Sequence, residues 1–194
     1  MSTDSKNVTQ GRFAKLAQLG LTVVHVGDLA SLWGIENDNL LYTTVSRYAR
    51  AGLLFRLQKG CYAIKDPQTI DPWFLGIGVL HRYAYVSTET ILAEAGVIMQ
   101  YIPATTIVSN ASRRFQVRGH EFAVRQLQPK YLANTEGIED RQGIYVARPE
   151  RAAADLWYFN PKAYIDNLKA LDLDEVERIR RAVGYPQHTQ ANIT

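Results

Sequence analysis

The sequence predicts an α+β protein in two parts, and three features carry that expectation. In the N-terminal third, helical patterns end in a sharp change of period. In LYTTVSRYARAGLLFRLQKGCYAI the apolar residues recur first at helical spacing and then alternate around Lys59-Gly60. Asp66-Pro67 and Asp71-Pro72 follow, and each proline biases the backbone toward extended or turn geometry, as a linker would. Beyond them, β-branched alternating runs are interspersed with helical ones. The expected division is therefore 1–66 and 67–194.

Composition narrows the class. The chain has 194 residues, 46% hydrophobic and 21% charged, the balance of a globular protein with one large domain or two small ones. No apolar run approaches the roughly 18 residues of a membrane span, and MSTDSKNVTQGR lacks the apolar core of a signal peptide. Cys61 is the single cysteine, which excludes an internal disulfide framework and fits a reducing compartment. A cytoplasmic protein without a membrane partner is expected. His25, His81, His120 and His188 are far apart in sequence and have no second cysteine to join, so no metal site is expected.

The first expected helix runs from about Thr9 to Leu19, with Phe13, Leu16 and Ala17 on one face and Gly20 at its end. LTVVHV is a short apolar link. GDLASLWG predicts a second helix, with Asp28 in its positive first turn, Leu29, Leu32 and Trp33 inward, and Gly34 closing it. In IENDN, Asn37 or Asp38 can cap a third helix from about Asp38 to Ala51. Leu41, Val45 and Tyr48 form its inward stripe. Asn39, Thr43, Ser46, Arg47 and Arg50 fall outward, with Tyr42 at the edge. Gly52 suits the left-handed residue past a helix end. Phe55 and Leu57 then alternate with Arg56 and Gln58, Lys59-Gly60 turns the chain, and Tyr62 and Ile64 return over the helices.

Helix, helix, turn, helix and two-stranded hairpin is the order of a winged helix-turn-helix. A single helix fits the major groove, where base edges carry a distinguishable donor and acceptor pattern. The expected DNA-contacting residues are Asn39, Tyr42, Thr43, Ser46, Arg47 and Arg50 on the third helix, with Arg56 and Lys59 on the wing. Charge agrees. Residues 1–131 hold fourteen basic against nine acidic side chains, whereas 132–194 hold eight against ten. Residues 40–66 alone hold five basic and one acidic, which suits a polyanion. On a protein-interaction module the same arginines would simply be solvated, and that alternative stays open.

These residues also resemble a known family. Trp33-Gly34-Ile35, Arg47, Gly52-Leu53 and Lys59-Gly60-Cys61-Tyr62 resemble the N-terminal pattern of AbiEi-type antitoxins of bacterial abortive-infection toxin–antitoxin systems. YVSTETILAEAGVI, TTIVSNASRRFQVRGHEFAVRQL and RPERAAADLWYF resemble the second domain of that family in order and spacing. The resemblance implies an antitoxin that binds double-stranded operator DNA, represses its own operon and opposes a nucleotidyltransferase-like toxin, with or without touching it. A free-standing transcriptional regulator whose second domain senses a ligand or dimerises is the alternative.

The second part reads as mixed α+β. WFLGIGVLHR is an apolar helix, YAYV a strand, and STETILAEAGVI a helix that Ser87 could cap. ATTIVSN is a strand, and RRFQVRG with HEFAVRQL a hairpin about Gly119. GIYVA is a further strand. PERAAADLWYF is a helix opened by Pro149 and closed by Asn160-Pro161. Helices near 162–171 and 174–183 and a disordered tail, YPQHTQANIT, complete the expectation. Arg113, Arg114 and Arg118 form a candidate contact surface, with Arg114, Gln116 and Arg118 on one strand face. The same arginines would also guard an exposed edge against strand addition.

No chemistry is expected. The sequence has no G-x-S-x-G elbow, P-loop or G-x-G-x-x-G cradle, and no closely spaced acids of a two-metal site. No catalytic residue, cofactor or metal is assigned.

Overall fold

The computed structural model describes residues 11–16, 18 and 20–186. The remainder of the first expected helix and most of the expected tail lie outside the described residues. The fold is mixed α+β with two sheets. Two compact units divide it, one through His81 and one from Arg82 onward, except that 117–119 group with the first.

In the first unit, residues 11–16 are helical (α1). β1 (Val23–His25) leads directly into α2 (Val26–Trp33), which Gly34 ends in left-handed geometry. α3 (Asp38–Arg50) starts where the Asn37 side chain accepts a hydrogen bond from the Leu40 N–H. Gly52, at φ +71°, turns the chain out of α3 into β2 (Phe55–Gln58), and the hairpin returns as β3 (Cys61–Ala63). The sheet order is β1-β3-β2, all antiparallel, with a register shift between Arg56 and Gln58. LTVVHV is therefore more than a link. Val23–His25 pairs with Ala63–Cys61 and ties the hairpin to the helices.

Leu16, Val24, Val26, Leu29, Trp33, Ile35, Leu41, Val45, Tyr48 and Leu54 close one core. The rings of Trp33 and Tyr48 lie 5.1 Å apart. Because α2 and α3 both bury their apolar stripes here, the opposite face of α3 is left to solvent.

α4 (Pro72–Leu80) belongs to this unit too, so the expected boundary at 66/67 does not coincide with the division between compact units. The reason is a close approach that sequence spacing does not reveal. A Cβ built on Gly78 would lie 2.6 Å from the Cβ of Val23, so only glycine lets α4 reach β1. Gly78→Ala is expected to destabilise the protein by about 1–3 kcal/mol, the usual cost of forcing an extra group into a packed contact. A urea titration followed by circular dichroism checks this, and an unchanged midpoint would show that the contact relaxes freely.

The second unit is built on a six-stranded sheet of order β6-β7-β5-β4-β9-β8. The strands are β4 (Ala84–Val86), β5 (Ala104–Ser109), β6 (Arg113–Val117), β7 (His120–Gln126), β8 (Ile138–Arg141) and β9 (Ile144–Ala147). β4 pairs antiparallel with β5 and parallel with β9. β5 pairs parallel with β7, and β8 antiparallel with β9. The helices are α5 (Glu89–Glu94), α6 (Pro129–Leu132), α7 (Pro149–Phe159) and α8 (Leu173–Val183).

Three expectations for the residues beyond His81 need correction. Ser87 does not cap α5. Thr88 holds the cap position with φ 53° and ψ −132°, a strained backbone for a β-branched residue, and the Ser87 hydroxyl donates elsewhere. Residues 162–171 do not form a helix, only a 3-10 turn at Leu168–Ala170. Here the Asp166 carboxylate accepts from the Met99 N–H at 2.9 Å and the Asn167 N–H donates to the Val97 carbonyl at 3.0 Å. Those bonds hold this segment against the loop that follows α5, in place of a helical ladder. Arg118 lies past the end of β6, in the turn, at φ 52°.

Candidate nucleic-acid interface

The exposed face of α3 is assembled by the burial of its other side. Leu41, Thr44, Val45 and Tyr48 are buried, while Asn39, Tyr42, Thr43, Ser46, Arg47 and Arg50 are all exposed. Spacings of three and four residues put these six on one side of the helix. Arg56 is exposed on β2, and Lys59 is exposed at the turn beside Gly60, which has φ +73°. The Gly60 carbonyl accepts from the Val26 N–H at 2.9 Å, so the hairpin tip is fastened to the start of α2.

The charged members of this set share one property. Among the described residues, Arg47, Arg50, Arg56 and Lys59 make no ion pair or side-chain hydrogen bond. Arginines of the second unit behave otherwise. Arg125 pairs with Glu89, Arg141 with Glu94, Arg148 with Glu175, Arg180 and Arg181 with Glu177, and Arg178 with both Glu136 and Glu175. Cations with no internal partner can neutralise an external polyanion without first giving up a carboxylate. Arg113 and Arg114 on β6 and Arg118 in the turn after it are exceptions: they are exposed and, among the described residues, have no carboxylate partner. Arg113 sits 4.5 Å over the Phe115 ring, at the end strand of the sheet.

Two further groupings bring together residues distant in sequence. His25 and His81, distant in sequence, stack with ring centroids 4.1 Å apart, and the His81 Nε2 lies 3.1 Å from Asp28. Cys61 is fully buried beside them, its thiol 3.6 Å from the His25 Nε2. Burial, and secondly the Asp28 charge, pushes that thiol up to about 12, so it is a packed side chain and not a nucleophile. Among the described residues no group of three or more ligands is placed to hold a metal.

The other grouping lies at the centre of the second unit. Arg151 and Asp155, both fully buried, pair at 2.8 Å one turn apart on α7. The hydroxyls of Tyr185 and Tyr85 donate to Asp155 at 2.5 and 2.9 Å, and that of Ser87 at 2.8 Å. Arg151 also donates to the carbonyls of Asn134 and Glu136. Burial and then the Asp155 charge raise both tyrosines, which stay protonated as donors. Each carboxylate oxygen has two donors, which leaves no open position for a reacting group. The arrangement is a clasp joining α7, β4 and the segment after α8. The sequence signal for it is the pair of charges flanking three alanines in RAAAD.

No described helix is long and apolar enough to cross a membrane. No family model matches the chain, and no curated protein matches it. In fold, across 90% of its length, the chain is similar to the crystal structure of RV2827C protein from Mycobacterium tuberculosis, with a TM-score of 0.54, 17% identity and 70% of that chain covered.

Proposed function

We propose that the first unit is a winged helix-turn-helix that binds duplex DNA, with α3 in the major groove and the β2–β3 hairpin as the wing. The observation that carries this reading is the set of cations that have no carboxylate partner among the described residues. Arg47 and Arg50 share the exposed face of α3 with four polar or aromatic side chains, and Arg56 and Lys59 extend the cationic surface onto the hairpin. Arginine is suited to guanine O6 and N7, or to phosphate; Asn39, Thr43 and Ser46 are suited to base edges or backbone. The proposed role is recognition and needs no chemical step from this chain.

The motif resemblance supports a more specific role, an antitoxin that represses its own operon and counteracts a nucleotidyltransferase-like toxin. Growth rescue on co-expression with a neighbouring nucleotidyltransferase gene tests that role; absence of rescue leaves a free-standing transcriptional regulator.

The DNA-binding reading is tested by selecting duplexes from a randomised pool with the full chain and titrating the recovered site at several salt concentrations. Log affinity is expected to fall linearly with log salt. Arg56→Ala and Lys59→Ala are each expected to reduce the slope by about one phosphate contact. A slope unchanged in both variants would take the hairpin off the DNA, and failure to retain any duplex would overturn the reading.

A further inference from the structure

The exposed arc of α3 has an apolar member that polar recognition does not explain. Leu40 is 53% exposed, although its neighbour Leu41 is in the core. The core of the first unit closes without it, and the Asn37 carboxamide accepting from the Leu40 N–H at 3.0 Å fixes its place in the first turn. At about 100° per residue, Tyr42 and Leu40 bound an arc of roughly 160° that holds Ser46, Asn39, Arg50, Thr43 and Arg47 between them. No acid lies on that arc, since Asp38 falls beyond the Tyr42 edge. Leu40 and Arg47, seven residues apart, share the other edge.

An exposed leucine at this position is unfavourable in water and gains by covering apolar surface. In the major groove, the apolar feature of a base edge is the thymine 5-methyl group, and the N-terminal end of a recognition helix is the part that meets base edges. We propose that Leu40 is a specificity-determining residue that packs on a thymine 5-methyl group, beside the bases met by Thr43 and Arg47. This rests on the DNA-binding reading of the first unit and adds to it a preference for thymine set by one apolar contact. Because the contact is with the methyl group, uracil, which pairs identically but lacks it, should be discriminated against.

The test uses the full chain and a duplex recovered by selection. Each thymine is replaced singly by deoxyuridine, and affinity is measured by fluorescence anisotropy at fixed salt. At one or two positions the replacement is expected to weaken binding about fourfold, the loss that follows from one buried methyl group. Leu40→Ala, an exposed substitution that circular dichroism should show to be folded, is expected to weaken binding to the thymine duplex by a similar factor. That variant should show no further loss with deoxyuridine. Specific binding that is insensitive to deoxyuridine at every position overturns the assignment of Leu40 alone. Equal sensitivity in wild type and Leu40→Ala does the same. If wild type retains no duplex in the selection, the DNA-binding reading fails and this assignment fails with it.

Discussion

Replacing Arg47 and Arg50 together with alanine is expected to weaken binding to a selected duplex by about thirtyfold or more. Each arginine that makes a bidentate contact with a guanine edge contributes about 1–3 kcal/mol of discrimination, and about 1.4 kcal/mol is a tenfold change in affinity. Both side chains are exposed and have no carboxylate partner in the described structure, so their removal should leave the fold intact. The loss should be largest for the selected sequence and smaller for unrelated duplexes. Equal losses on all sequences would make these arginines phosphate contacts and not base readers. Unchanged affinity would remove the face of α3 from the interface.

Asp155→Ala is expected to cost about 3–5 kcal/mol of stability, a large part of the roughly 5–15 kcal/mol of a typical domain. The substitution leaves the Arg151 guanidinium buried without its anion and the hydroxyls of Tyr85, Tyr185 and Ser87 without their acceptor. A urea titration by circular dichroism checks it. If the single variant is too unstable to purify, Arg151→Met with Asp155→Leu provides the comparison, because removing both charges leaves no isolated ion in the core. The double variant should be the more stable of the two. A single variant as stable as wild type would mean that the clasp contributes nothing to the fold.

The parts of the fold that were readable in the sequence are those fixed locally. The boundaries of α3 follow from a capping side chain at Asn37, an apolar stripe, and a glycine at 52 that accepts positive φ. The exposed face of α3 follows from that stripe by periodicity alone. Distant partners decide the features that were missed. Val23–His25 becomes a strand because Cys61–Ala63 comes to pair with it, and α4 joins the first unit because Gly78 admits Val23. Residues 162–171 have helical spacing in Tyr164, Leu168 and Leu171, yet Asp166 and Asn167 bond to Met99 and Val97. RAAAD reads as an ordinary helix until Tyr85, Ser87 and Tyr185 converge on its aspartate.

Leu40 shows the same limit at the candidate site. Two adjacent leucines look alike in sequence, and only the packed structure separates Leu41, in the core, from Leu40, in solvent. The exposed cations were readable one by one. Their lack of carboxylate partners among the described residues was not, because it depends on where distant acids fall.

Methylation interference on the selected site tests whether α3 lies in the major groove of a duplex. Methylating guanine N7 blocks the major-groove edge that arginine would occupy, whereas methylating adenine N3 blocks the minor groove. N7-methylated guanines at specific positions are expected to abolish retention by the wild-type chain. Arg47→Ala with Arg50→Ala should lose sensitivity at those positions. Interference confined to adenine N3, or a guanine pattern identical in the two proteins, would contradict that placement.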